Sequence, residues 1–370
     1  MKIKTLTTCF LFALALSSCI RDEALNSEAD ILSCTIGGDI LNREPIIDND
    51  EITLLIKDGA EISNVIPKFT LTEGATISPE EGSSCDFTKS QTYIYTVTSQ
   101  DKKWNKEYIL KALPEINSDY SFENIRLKSS YYTFYEKFDN GNEILSWASG
   151  NEGFAFTGVK ASPEEFPTTK DDNGYKGKCL KLQTKSTGNL GESMGMPLAA
   201  GNLFLGNFQI NLSDVLSATK FGVPFMHIPT KMEGWYKYQP GPIFYKLNSN
   251  KKLEEDPTQT DQCNFYAVFY EGTSNSELLT GHNILDLSNP SIISIARSKS
   301  DIPATNSWTQ FTFEFETLPN RKVEETKLKE GRYNLAVVFS SSIKGDHFEG
   351  ALESTLWIDE VSINYEGKEK

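Results

Sequence analysis

WTQFTFEFETL, residues 308–318, alternates strictly over its second half: Phe311, Phe313 and Phe315 fall on one side of an extended chain, Glu314 and Glu316 on the other. Side chains along a strand point to opposite faces in turn, so the stretch reads as a half-buried antiparallel strand whose phenylalanines enter a core. GWYKY (234–238), CNFYAVFYEG (263–272), YNLAVVFSSS (333–342) and STLWIDEVSINY (354–365) read as further strands, as do KCLKLQTK (178–185) and NFQINL (207–212). Turn-rich loops separate them, and helical periodicity is scarce; LSDVLSATK (212–220), with Ser213 as its cap, is the best candidate for a helical turn. The chain is therefore all-β, and residues 118–367, which no low-complexity linker interrupts, read as one large jelly-roll β-sandwich.

A seam falls at ALPEINSDYS (112–121), where a strand ends in proline and polar residues follow. Before it, DEITLLIKDG (50–59) carries Ile52, Leu54 and Ile56 on one face, VIPKFTLTEGATISPEEG (65–82) gives two short strands around a Glu-Gly turn, and QTYIYTVTSQDKKWNKEYILKAL (91–113) is a hairpin turning at Gln100 to Lys103. Trp104 sits at the tip of that hairpin, as a contact or an interdomain plug. Strands of this length over residues 31–113 fit a small β-sandwich. The order ATISPEEG, DFTKSQTYIYTVTSQDKKWNKEYIL resembles the immunoglobulin-like modules near the N-termini of many gut-bacterial surface lipoproteins, which implies a spacer between the membrane and the next domain.

The first residues, MKIKTLTTCFLFALALSSC, place Lys2 and Lys4 before an apolar run from Phe10 to Leu16 that is too short to span a bilayer, so residues 1–18 read as an export leader. Leu16-Ser17-Ser18-Cys19 resembles the lipobox of bacterial lipoproteins, which implies acylation of Cys19. Residues 19–30 follow as a polar tether, and Asp22 and Glu23 close behind the cysteine resemble an export signal to the outer face of the outer membrane. The expectation is a protein held by its lipid anchor alone. Formal charge is −15, and −17 once Lys2 and Lys4 leave with the leader, a balance that disfavours nucleic acid and anionic lipid heads. Cys34, Cys85, Cys179 and Cys263 remain, enough for two disulfides in three pairings; their spacing fits no zinc motif, and Cys34, in phase with Leu32 and Ile36, also reads as a buried thiol.

GNLFLGNF (201–208), GVPF (222–225), MEGWYKYQPG (232–241) and VVFSSSIKGDHFEGALESTLWIDEVSINY (337–365), with FDNGNEILSWASGN (138–151) as their opening, resemble in that order the family called the putative carbohydrate metabolism domain. The resemblance spans nearly all of residues 118–366 and implies a lipoprotein jelly roll linked with glycan uptake or degradation.

Reactive constellations are few. His227, His282 and His347 are scattered, and neither G-x-S-x-G nor a phosphate-binding glycine loop occurs. Glu314 and Glu316, about 7 Å apart at two residues' rise, have a spacing permissive for glycoside hydrolysis but lie on the solvent side of their strand. Sugar-binding jelly rolls resembling this one often tie the first strand to the last with calcium; Asp359 and Asp139 are candidate ligands for such a structural ion, although a solvated acid pair and an Asn-Gly turn is the reading preferred for them. Flat aromatic faces suit the C–H faces of sugar rings, which makes Trp147, Trp235, Tyr236 and Tyr238 the candidate carbohydrate-binding residues, with Trp308 and Trp357 reading as core. In KMEGWYKYQPGP (231–242), Trp235 and Lys237 point one way and Tyr236 and Tyr238 the other; Trp235 is the expected exposed ring, and Pro240 and Pro242 end the strand. The leading expectation is a non-catalytic surface lipoprotein that binds a polysaccharide or glycoprotein glycan. A protein-binding or adhesive subunit that assembles with other surface lipoproteins, and a glycoside hydrolase using a carboxylate pair, are the alternatives.

Overall fold

The alternation of residues 311–316 is realised: Phe311 is buried, Phe313 and Phe315 are half-buried, and Glu314 and Glu316 are exposed. The computed structural model describes residues 25–367 apart from 42–43, 58–59, 91, 115–117, 138–142, 273–276 and 330. Cys19 and Asp139 lie outside the described residues.

Among the described residues, seven strands precede the seam: β1 (Ile31–Ile36), β2 (Ile46–Asp48), β3 (Glu51–Ile56), β4 (Pro67–Leu71), β5 (Thr76–Ser78), β6 (Thr92–Thr98) and β7 (Asn105–Pro114). They make a β1-β4 pair and a five-stranded sheet in the order β2-β3-β7-β6-β5. Ile52, Leu54 and Ile56 meet Tyr95, Val97, Tyr108 and Leu110 in the core of this small sandwich. The hairpin turns at residues 100–103 as expected, and Trp104 is 63% exposed. Two details were not anticipated. β3 and β7 are parallel, and the Glu73-Gly74 turn joins strands of different sheets rather than a hairpin, with Gly74 at φ +74° in the left-handed region that favours glycine.

The end of the expected tether is part of this sandwich. Ala29 is buried, Asp30 accepts from Lys106 Nζ (2.8 Å) and Tyr108 Oη (3.0 Å), and Asn26 N donates to Gln100 Oε1 (2.8 Å). A polar segment is held here because its backbone and carboxylate find partners that water would otherwise supply. Cys34, Cys85, Cys179 and Cys263 are buried free thiols; burial pushes Cys34 up to about 12.

Nine later strands carry the larger sandwich: β8 (Thr168–Asp171), β9 (Cys179–Gln183), β10 (Asn202–Phe204), β11 (Pro229–Gln239), β12 (Asn264–Glu271), β13 (Ile292–Arg297), β14 (Thr305–Thr317), β15 (Tyr333–Ser340) and β16 (Thr355–Tyr365). Their order is β8-β9-β16-β11-β14-β13-β12-β15-β10. β14 pairs with β11 through residues up to Glu314 and with β13 from Phe315 onward, so it passes from one sheet into the other. At the opposite edge Thr168 Oγ1 donates to the Asn202 carbonyl (2.7 Å) and accepts from Asn202 N (3.1 Å), which joins β8 to β10 by a side chain. Leu180, Leu182, Met232, Tyr236 and Ile358 of the first sheet pack on Phe265, Phe269, Leu335, Val337 and Phe339 of the second.

The two sheets differ on their outer sides. The second is covered: Tyr266, Val268 and Tyr270 pack outward on Phe204, Phe221, Leu279 and Ile284. The first alternates buried and half-exposed residues along β11, so its outer face is open. The expected helical turn is a 3₁₀ turn at Val215–Ser217 that follows Asp214, while Ser213 Oγ donates to Asn211 instead of capping it. β11 ends at Gln239, directly before Pro240, as expected.

Candidate functional site

The open face of the first sheet gathers the aromatic residues. Along β11, Met232, Tyr236 and Tyr238 point inward and Trp235, Lys237 and Gln239 outward. Trp235 is half-buried, and its indole stacks on Tyr175, with centroids 4.0 Å apart and planes 11° apart. Tyr175 meets Trp308 edge-on (6.4 Å, 72°). Lys237 Nζ lies over the rings of both Trp308 (4.6 Å) and Trp357 (5.0 Å), and Trp357 Nε1 donates to Asp171 Oδ2 (3.0 Å). A continuous band therefore runs Trp235, Tyr175, Trp308, Lys237, Trp357, Asp171 across five adjacent strands and one loop. Beside it Gln183 Nε2 donates to Thr355 Oγ1 (2.9 Å) and Gln239 Nε2 to Asn306 Oδ1 (2.6 Å), so amide and hydroxyl groups border the rings.

Tyr175 is 47% exposed and belongs to the loop between β8 and β9. That loop is fixed from beneath. Lys176 N donates to Asp359 Oδ2 (2.9 Å), Gly174 N to the Gly177 carbonyl (2.8 Å) and Lys178 N to Glu123 Oε1 (2.8 Å). A Cβ on Gly174 would come within 2.7 Å of both Asp359 Oδ2 and the Lys178 carbonyl, so the loop can close down on Asp359 only with glycine there. Asp359 has no exposed surface; burial pushes its carboxyl up to about 6 against the pull of the backbone N–H groups it accepts.

Three of the expected carbohydrate-binding residues are core. Tyr236 and Tyr238 are 4% and 1% exposed because the two-residue strand period turns both inward from Trp235. Trp147, 3% exposed, donates from Nε1 to Glu136 Oε1 (2.9 Å) and packs among Tyr120, Phe122 and Phe339. Conversely, Trp308 and Trp357, expected in the core, stand on the open face. In β16 the odd positions 357, 361 and 363 suggest one face, but the pairing skips between Glu233 and Trp235, and Glu360 has φ +47°. This bulge reverses the phase, sending Leu356 and Ile358 inward before it and Val361 and Ile363 inward after it, so that Trp357 faces out. Tyr175 gave no periodic signal because it sits on a loop.

Asp359 does not have the surroundings of a calcium ligand: Oδ2 accepts from Lys176 N and Oδ1 from Glu360 N (2.9 Å), so hydrogen-bond donors rather than further oxygens face the carboxylate. Among the described residues no three His, Cys, Asp or Glu side chains are grouped to hold a metal. The histidines stay apart, His227 stacked on Tyr365, His282 bonded to Asp214 and His347 to Asp346. Glu314 and Glu316 are exposed, and Glu316 pairs with Lys299. The carboxyls that burial pushes up, Glu136 to about 7, Asp359 and Asp261, are enclosed; Asp261 accepts from Ser342 Oγ (2.6 Å), Ser354 Oγ (2.7 Å) and Ala351 N (2.8 Å). A separate, mainly apolar cavity of about 330 Å³ lies outside the second sheet, lined by residues such as Phe156, Met194, Met196, Phe208 and Ile284.

Residues 121–364 match the family model described as putative carbohydrate metabolism domain, and residues 31–111 match the one described as SGBP, N-terminal. Among solved structures, the chain is 42% identical to one titled a putative glycoside hydrolase from Bacteroides thetaiotaomicron, over 94% of this chain and 100% of that one, with a TM-score of 0.71. A second, titled a putative glycoside hydrolase from Bacteroides vulgatus, is 39% identical over 68% of this chain and 99% of its own, with a TM-score of 0.62. No curated protein matches the chain.

Proposed function

From the premise that this chain belongs to the putative carbohydrate metabolism domain family and carries an SGBP N-terminal module, we propose that it captures glycan on the open aromatic face of its larger sandwich, without cleaving it. The observation that carries this reading is the unbroken band of Tyr175, Trp308, Lys237 and Trp357 on the open outer face of the first sheet. Trp235 acts as a pedestal: Tyr175 covers one side of its ring and offers its own outer side to a sugar. The C–H face of a pyranose packs on such a ring, while Gln183, Gln239, Asn306 and Thr355 meet its hydroxyls. Each aromatic contact contributes about 0.5–1.5 kcal/mol beyond burial, up to roughly tenfold in affinity. Trp308→Ala and Trp357→Ala, tested on a polysaccharide panel by affinity electrophoresis, are expected to weaken binding severalfold each while leaving thermal unfolding nearly unchanged. Undiminished binding in the double variant would dismiss the platform.

The two solved relatives are each described as a putative glycoside hydrolase, which favours the alternative of a glycoside hydrolase. Hydrolysis needs a proton donor that the substrate can reach, and the described carboxyls pushed to higher pKa are all enclosed, Glu136 and Asp261 in the interior and Asp359 beneath the 172–178 loop. We further propose that Cys19 is acylated and holds the protein on the outer membrane facing outward, where other surface lipoproteins are available as partners.

A further inference from the structure

We propose that the aromatic face takes an acidic glycan, one bearing carboxylate or sulfate groups, with Lys237 and Lys181 receiving the charge. The inference rests on the platform reading above and narrows it to a class of ligand.

The chain holds 51 acidic residues to 36 Lys and Arg, and many of its lysines are ion-paired, Lys106 with Asp30, Lys170 with Asp172 and Lys327 with Glu271 among them. The lysines of the aromatic face depart from that pattern. Lys181, Trp357 and Lys237 stand side by side on three adjacent strands, all half-buried and all on the open face. Among the described residues neither Lys181 nor Lys237 makes an ion pair; Lys237 instead lies between two indoles. Lys185, two residues beyond β9, is held below the usual lysine range by burial and by the charge of Lys181, with Glu165 and Glu353 opposing that shift.

The acids nearby are already engaged. Asp171 is the exposed-side carboxylate near Lys181; Oδ2 accepts from Trp357 and Oδ1 from both N and Nδ2 of Asn173. Burial pushes that carboxyl up, but those donors, with the charge of Lys181 added, outweigh it and keep it below the usual range, hence ionised. Asp359 lies beneath the 172–178 loop with its oxygens on backbone N–H groups. Two ammonium groups thus face outward beside sugar-stacking rings, neither of them in a contact ion pair, with the Asp171 carboxylate acting on Lys181 only from beyond contact. An indole face satisfies only part of an ammonium's field and leaves its outward N–H donors for an anion. The overall negative charge opposes a polyanion only at long range, because at physiological salt the screening length is about 8 Å and the lysines act at contact.

The test is affinity electrophoresis of the full chain with two matched pairs: polygalacturonate against its methyl ester for carboxylate, and dextran sulfate against dextran for sulfate. At least tenfold tighter binding of one acidic member than of its neutral mate is expected, and the pair that shows it names the anion. Lys181→Gln and Lys237→Gln should shrink that preference severalfold, Lys237→Arg should retain it, and added salt should erode it. Equal affinity within both pairs, or a preference indifferent to both Gln variants, overturns the acidic-ligand assignment and leaves the platform standing. No binding to any of the four, with Trp308→Ala and Trp357→Ala also silent across the wider panel, overturns both.

Discussion

Glu136 is a carboxyl group folded among aromatic rings, 4% exposed, with Trp147 Nε1 as its donor. Its pKa is raised to about 7 from an ordinary 4.5, so the native state keeps a proton that the unfolded chain loses at lower pH. The stability it contributes is intact below about 4.5 and is lost as pH rises through 7. Glu136→Gln retains an acceptor for Trp147 and removes the titration. It is expected to stabilise the protein by about 1–3 kcal/mol well above pH 7 and to change little below 4.5, by urea unfolding at both extremes. An equal change at both would show that packing rather than protonation governs the site. Trp147 also marks a limit of composition as a guide: a lone indole in a polar stretch looks like a ligand platform, and only the buried acid beside it reveals a structural role. The opposed faces of Trp235 and Tyr236 were legible, because the strand period alone separates them.

Among the elements, those that alternate are legible, and of those buried on both sides β12 and β15 are legible from their aromatic and β-branched runs while β13 is not. β14 announced itself through Phe311, Phe313 and Phe315, whereas β13, with Ile292 through Ala296 all buried, shows no alternation and went unread. Trp357 was misassigned for another reason: one extra residue in a bulge inverts the phase of a strand, and sequence carries no mark of it here. The loop after β8 depends on Gly174 lying against Asp359. Gly174→Val is expected to lift Tyr175 from Trp235, weakening glycan binding about as much as Tyr175→Ala does while lowering the melting temperature by only a few degrees. Full affinity in the Val variant would mean that the loop does not set the platform.

At the scale of the molecule, the small sandwich has its own core around Tyr95 and Leu110 and the large one its own between the sheets, around Phe265 and Phe339. Asn26, hydrogen-bonded into the first sandwich, lies close behind Cys19 in the sequence, so an anchored protein would hold that sandwich close to the bilayer. Cys19→Ala is expected to release the protein from the membrane fraction and abolish incorporation of labelled palmitate; retention of both would remove the anchor. The closure of the larger sandwich sets a further condition. One strand belongs to both sheets and a threonine clasps the opposite edge, so neither sheet can slide to suit a new occupant. Adaptation to different sugars among relatives would then fall to the loop bearing Tyr175, the interchangeable part of an otherwise fixed frame.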